Sequence, residues 1–260
     1  MDLGLAGKTA IVAASSKGLG KACALALAAE GARVTVCART AADLAATAAE
    51  IRSSTGSQVL AVPADLATAT GVDDVVAATV DRFGAVDVLV TNSGGPPRGT
   101  FADFADSDWA AAFELVTLGF VRFVRAVVPH MRARQWGRIV GIQSISVKQP
   151  VGSIDLSNGI RPGIAGLVKA LAPGLARDGI TINLVLPGSF RTDRVLAGLA
   201  HLPAAEVDAR LAALGATVPM GRLGEPAELG GLVAFLASAQ ASYITGAAYQ
   251  VDGGAVASNV

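Results

Sequence analysis

The residues best suited to chemistry begin with one turn, Ala13-Ala14-Ser15-Ser16-Lys17-Gly18-Leu19-Gly20. Before it runs Lys8-Thr9-Ala10-Ile11-Val12, short, apolar and rich in β-branched residues. Behind it, Lys21 to Glu30 is alanine-rich, with helical spacing and no breaker. The order is strand, tight turn, helix. A glycine at 18 lets the backbone approach a bound phosphate, and a glycine at 20 lets the helix pack against the strand. The helix N-terminus then presents unpaired N–H groups to an anion. Ser15, Ser16, Lys17, Gly18, Leu19 and Gly20 are therefore candidate nucleotide-binding residues, the plain alternative being an ordinary glycine-rich turn between strand and helix.

The second strand, Arg33 to Ala38, stops at Arg39, where an acid would hold the hydroxyls of an adenosine ribose. Lys17 can reach the same place. Two cations there suit a 2′-phosphate, so the expected cofactor is NADPH/NADP+ ahead of NADH; the alternative is a pair of solvated surface charges. After the third strand, Gln58 to Pro63, comes Asp65-Leu66, with Asp65 placed either to accept from an adenine amine or to cap the next helix.

These residues need a scaffold, and the chain supplies a regular alternation of strands and helices. A helix from Thr40-Ala41-Ala42-Asp43, which resembles a capping pattern, to about Ser53 is followed by a strand, then a helix from about Thr70 to Phe83-Gly84. Val86 to Val90 is a strand leading into Thr91-Asn92-Ser93-Gly94. A long helical stretch, apolar on more than one face, runs from Ser107 to Met131. Arg138 to Ile142 is the fifth strand, Thr181 to Leu186 the sixth, and Tyr249 to Gly254 closes the sheet. The pattern predicts an α/β fold: a Rossmann-type doubly wound parallel sheet in three α/β/α layers, one domain over residues 1–260. The region at about 189–220, long for a connection, is expected to carry its own helix and to act as a substrate lid.

Composition narrows the possible functions. The chain has 260 residues, 52% hydrophobic and 16% charged, ample for one large core. Lys+Arg 21 balances Asp+Glu 21 without a basic run, which argues against nucleic acid and anionic membranes as partners and leaves a small-molecule substrate. Cys23 and Cys37 sit where small buried side chains are expected and read as free core thiols. No metal set is expected. The N-terminus lacks a basic segment followed by an apolar one, so a cytoplasmic protein is expected.

Together these motifs resemble the short-chain dehydrogenase/reductase family, especially its 3-oxoacyl-carrier-protein-reductase-like members, over almost the whole chain. The family's first turn, Thr-Gly-x-x-x-Gly-x-Gly, appears with Ala13 and Ala14 at the Thr and first Gly, while Gly18 and Gly20 match. Asn92 and Gly94 match the Asn-Asn-Ala-Gly stretch, and Pro187-Gly188 with Thr192 match the segment that faces the nicotinamide. Asn183 and Asp252-Gly253-Gly254 also fit. The resemblance implies an oxidoreductase and a homodimer or homotetramer, built on the 107–131 helix and the helix after Pro162.

The catalytic set departs from the pattern. Ser144 matches the family's serine after strand five, but Ser157 falls at the tyrosine, Arg161 at the lysine and Val116 at the helical asparagine. A phenol can be tuned toward neutrality by a nearby cation; an alkyl hydroxyl is far less acidic, and a guanidinium does not give up its proton, although Arg161 can still supply fixed positive charge and, as a cofactor-binding residue, grip a ribose hydroxyl. Pro162, comfortable only in a helix's first turn, suggests that the helix begins just there. Tyr243, Tyr249, His130 and His201 lie away from the expected site. Lys148 and Asp155 are better placed stand-ins, or plain loop charges. Ser144, Ser157 and Arg161 could also act together as donors to an oxyanion, with water or substrate supplying the proton. Two functions are thus carried forward: an NADPH-dependent oxidoreductase acting on a carbonyl or related C=N or C=C substrate with a non-standard proton donor, or a protein of this fold without redox turnover. The latter would be an NADP(H)-binding regulator, or a lyase, isomerase or cyclase.

Overall fold

Residues 1–258 are described by the computed structural model. Among these residues, seven parallel strands form one sheet in the order β3-β2-β1-β4-β5-β6-β7. They are β1 (Thr9–Ala13), β2 (Arg33–Ala38), β3 (Val59–Pro63), β4 (Val88–Thr91), β5 (Gly137–Ile142), β6 (Ile180–Pro187) and β7 (Ala248–Val251). Side chains alternate across a strand, so β1 sends Ala10 and Val12 into one core and Ile11 and Ala13 into the other. The first core is covered by α1 (Gly18–Ala29), α2 (Ala41–Thr55) and α9 (Pro226–Leu236), through Leu27, Leu44, Ile51, Leu229 and Val233. The second is covered by α3 (Ala69–Phe83), α5 (Gly119–Ala133) and α6 (Asp155–Ala176), through Val72, Val75, Phe123, Val127, Ile164 and Val168. Apolar burial on both faces explains why the central strands read as near-continuous hydrophobic runs. Both cysteines are free and buried.

The winding reverses between β1 and β4, the neighbours at the middle of the sheet. That switch opens a crevice beyond the carboxyl ends of these strands, the general ligand site of such sheets. Between β6 and α9 the chain forms α7 (Asp193–Leu199) and α8 (Ala204–Ala216). No helix among the described residues is long and apolar enough to cross a membrane.

Three local expectations are corrected. The 107–131 stretch is not one helix: α4 (Asp106–Phe113) passes through a π-helical turn, Glu114–Leu118, into α5, and Val116 is buried in that turn. Its apolar pattern runs on through the wider turn, so sequence periodicity does not register the extra residue. The helix carrying Pro162 begins at Asp155 and continues past the proline. Its first turn is anchored by Asn158, whose Oδ1 accepts from Val151 N–H at 3.0 Å and whose Nδ2 donates to Val151 O at 2.8 Å. Local anchoring therefore outweighs the hydrogen bond that Pro162 cannot donate. Thr40 makes no side-chain cap at α2, and Asp43, the other half of the expected capping pattern, pairs with Lys17 across the gap to α1.

Candidate active site

The turn after β1 is built by close approach. A Cβ at Gly20 would overlap the carbonyl oxygen of Ala14, so only glycine permits this packing of α1 on the strand. Ala14 itself lies in the left-handed region, φ 48°. Ser15 turns inward: Oγ donates to Val12 O at 2.7 Å and accepts from Cys37 N–H at 3.1 Å, knitting the ends of β1 and β2. Leu19 packs against the first core, and Ser16 O accepts from Thr47 Oγ1 at 2.6 Å. Ser15 is thus spent on the scaffold. The N–H of Gly18, at the N-terminus of α1, donates to Asp193 Oδ2 at 2.8 Å. A carboxylate from α7 therefore rests where an anion would bind.

Lys17 forms an ion pair with Asp43, Nζ to Oδ2 2.9 Å, and this hydrogen bond raises its pKa above the ordinary lysine value. Arg39 is exposed and forms no ion pair among the described residues. Asp65 Oδ1 accepts from Ala67 N–H at 3.1 Å, in the turn where Thr68 Oγ1 accepts from Gly71 N–H and caps α3. The cap of α3 is thus Thr68, not Asp65, whose other carboxylate oxygen keeps the adenine reading open; Leu66 beside it is buried.

Across the switch, Asn92 Nδ2 donates to Ala14 O at 3.4 Å, joining the loop after β4 to the turn after β1. Thr192, the N-cap residue of α7, faces Gly18: a Cβ at Gly18 would lie 3.7 Å from that of Thr192. Pro187 ends β6 and Gly188 N–H donates to Val251 O at 3.0 Å, so the start of this connection is fixed to β7. Arg194 crosses from α7 to the other wall, where its guanidinium donates to the carbonyls of Gly94 and Pro96.

At the end of β5, Ser144 is half-buried and its Oγ accepts from Ser146 N–H at 3.1 Å. Ser157 and Arg161 lie one turn apart on α6, with only 7% and 6% of their surfaces exposed. Arg161 Nη1 donates to Gln143 Oε1 at 2.9 Å, while its buried Nε has no partner among the described residues. Burial, helped by repulsion from Arg194, pushes the guanidinium pKa down to about 10, leaving it charged at neutral pH. Arg161 is thus a fixed cation at the base of the crevice.

The stand-ins do not reach it. Asp155 Oδ2 accepts from Phe101 N–H at 2.8 Å and its Oδ1 from Asn158 Nδ2 at 3.1 Å, so it is spent on the start of α6. Lys148 lines a different cavity with Lys169 and Gly246. Tyr243 is fully exposed, Tyr249 lies on β7, His130 is in the last turn of α5, and His201 follows α7. Sequence reasoning missed Gln143, Asp193 and Arg194. A polar residue directly after a run of buried strand was a usable signal for Gln143; the pair on α7 had none.

The family profile described as enoyl-(acyl carrier protein) reductase matches residues 13–256. The chain belongs to this family, the short-chain dehydrogenase/reductases. It is 35% identical over 256 residues to a 3-oxoacyl-[acyl-carrier-protein] reductase of Synechocystis, covering 97% of this chain and 98% of that protein. Among solved structures it is similar to L-sorbose reductase from Gluconobacter frateurii, complexed with NADPH and L-sorbose: TM-score 0.94, 34% identity, covering 99% of this chain and 100% of that one. It is also similar to an actinorhodin polyketide ketoreductase with NADPH, with TM-score 0.88 and 34% identity over 95% of this chain and 97% of the other.

Proposed function

We propose that the protein is an NADPH-dependent reductase of small molecules, acting on a carbonyl or a conjugated C=N or C=C bond without a tyrosine proton donor. One observation carries the reading: an unbroken set of contacts runs from Gly18 through Asp193 and Arg194 to Gly94, joining the phosphate-type turn to the wall beside Arg161. The cofactor would lie along it, with its phosphates on the N-terminus of α1 and its 2′-phosphate near Arg39 and Lys17. Asn92, Gly94, Pro187, Gly188 and Thr192 would line its nicotinamide half, and Asp65 and Leu66 its adenine. NADPH, when bound, supplies the hydride.

The fate of the developing charge depends on the chain's own residues. A reduced carbonyl becomes a strongly basic alkoxide that needs a good acid, and the serines here are alkyl hydroxyls beside a guanidinium that keeps its proton. What Ser144, Ser157 and Arg161 can do is donate hydrogen bonds to a developing oxyanion, with Gln143 holding Arg161 in place and water delivering the proton. A conjugated substrate, whose reduced form is an enolate less basic than an alkoxide, suits this set best. Residues 189–220 would close over the substrate, and the protein would work as a cytoplasmic homodimer or homotetramer through α5 and α6. The same lack of an acid also favours a second reading, a catalyst without redox turnover. Loss of absorbance at 340 nm on mixing with NADPH and a panel of ketones, cyclic imines and enones supports reduction. A panel that leaves the absorbance unchanged while NADPH binds supports the second reading.

A further inference from the structure

The crevice holds two guanidinium groups and, among the described residues, no carboxylate paired with either. Arg161 and Arg194 converge on Gly95, φ +73°, where a Cβ would sit 2.9 Å from Arg194 Nη1 and 3.7 Å from Arg161 Nη2. Among the described residues, Arg161 is bound only through the neutral amide of Gln143, and Arg194 only through two neutral carbonyls. Ion pairs neutralise Lys17, Lys21, Arg122, Arg132, Arg134, Arg191 and Arg222, but neither of these two. A buried arginine with an unpartnered Nε and a like charge as its neighbour is costly by itself, and an anion between the two removes both penalties.

The geometry points to a substrate carboxylate as that anion: Arg161 and Arg194 form a two-arginine clamp for a carboxylic acid, holding its carboxylate so that the adjacent reducible group, a carbonyl or a conjugated bond, faces Ser144 and Ser157. This rests on the reductase reading. The other source of such an anion is a cofactor phosphate, but two features place the clamp on the substrate side. Arg161 is one turn from Ser157 and is tied to Gln143, next to Ser144. The N–H site for phosphate is Gly18, held by Asp193 instead. Because α7 carries Arg194, binding the carboxylate would also hold this helix against the loop. Gly95 has a matching role: any side chain there would fill the space the carboxylate needs.

The test is calorimetric titration of the protein saturated with NADP+, using pyruvate, acetoacetate and benzoylformate, each against its methyl ester. Wild type should bind at least one acid about ten-fold or more tighter than its ester. Arg194→Met, titrated at an NADP+ concentration that again saturates the variant, should bring acid and ester within about two-fold. Arg194→Lys, which keeps the charge, should recover part of the preference. A wild type that favours none of the acids, or an Arg194→Met protein that keeps the preference, overturns the clamp. So does an Arg194→Met protein that loses NADP+ affinity about ten-fold while its acid preference stands, which assigns the arginine to the cofactor. Failure of the reductase reading would show separately, as wild type that does not bind NADP+ or never oxidises NADPH.

Discussion

Asp193 competes for the place a cofactor phosphate would take. Its carboxylate accepts from Gly18 N–H at 2.8 Å, and the same N–H is the donor best placed for that phosphate. Binding must therefore break a charge-assisted hydrogen bond and leave a carboxylate beside an incoming anion. Such bonds are worth roughly 1.5–3 kcal/mol when sheltered, and exposure of Asp193 reduces the net cost to about 1 kcal/mol. Asp193→Asn keeps an oxygen acceptor for Gly18 and removes the charge. It should tighten NADPH about five- to ten-fold, and the gain should shrink in high salt. Fluorescence titration of wild type and variant at low and high ionic strength gives both numbers. An unchanged or weaker NADPH Kd would overturn this, because Asp193 would then be no competitor of the cofactor.

The same contacts set three further outcomes. With Lys17 held by Asp43, Arg39 is the cation free to meet a 2′-phosphate, so Arg39→Ala should weaken NADPH about ten-fold and leave NADH nearly unchanged; equal wild-type affinities for the two cofactors would contradict it. Ala14→Gly relieves a left-handed alanine, which offsets the entropy that glycine adds to the unfolded chain; melting should rise by about 1–3 °C, and a fall would show that φ 48° carries no strain. Static light scattering at micromolar concentration should give a dimer or tetramer, and a monomer would rule out pairing through α5 and α6.

The sheet was legible because its strands are short β-branched runs separated by turn signals, and because buried parallel strands are apolar on both faces. The turn after β1 was legible for a stricter reason, since Gly20 has no room for a Cβ against Ala14. Pairings between segments distant in the chain were less visible. Nothing local to Asp43 shows that it will meet Lys17 rather than cap its own helix, or that Asp193 and Arg194 will straddle the crevice to Gly18 and Gly94. Asp155 reads as a possible acid because it lies between Ser144 and Ser157 in sequence; in space its oxygens bind Phe101 N–H and Asn158. Pro162 misleads because propensity speaks for one residue, whereas the start of α6 is held by Asn158 and Asp155 together.

At the heart of the proposal, the protein polarises its substrate with fixed donors and does not protonate it from position 157. The direct test is kcat/KM for Ser157→Ala, Ser144→Ala and Arg161→Met on one turned-over substrate, with NADPH affinity measured separately for each variant. Ser157→Ala should lose less than about ten-fold, the cost of one modest hydrogen bond. Ser144→Ala and Arg161→Met should each lose about a hundred-fold, the scale of a donor or fixed charge at a developing oxyanion. A roughly thousand-fold loss for Ser157→Ala alone, with NADPH still bound, would contradict the proposal and make Ser157 the general acid.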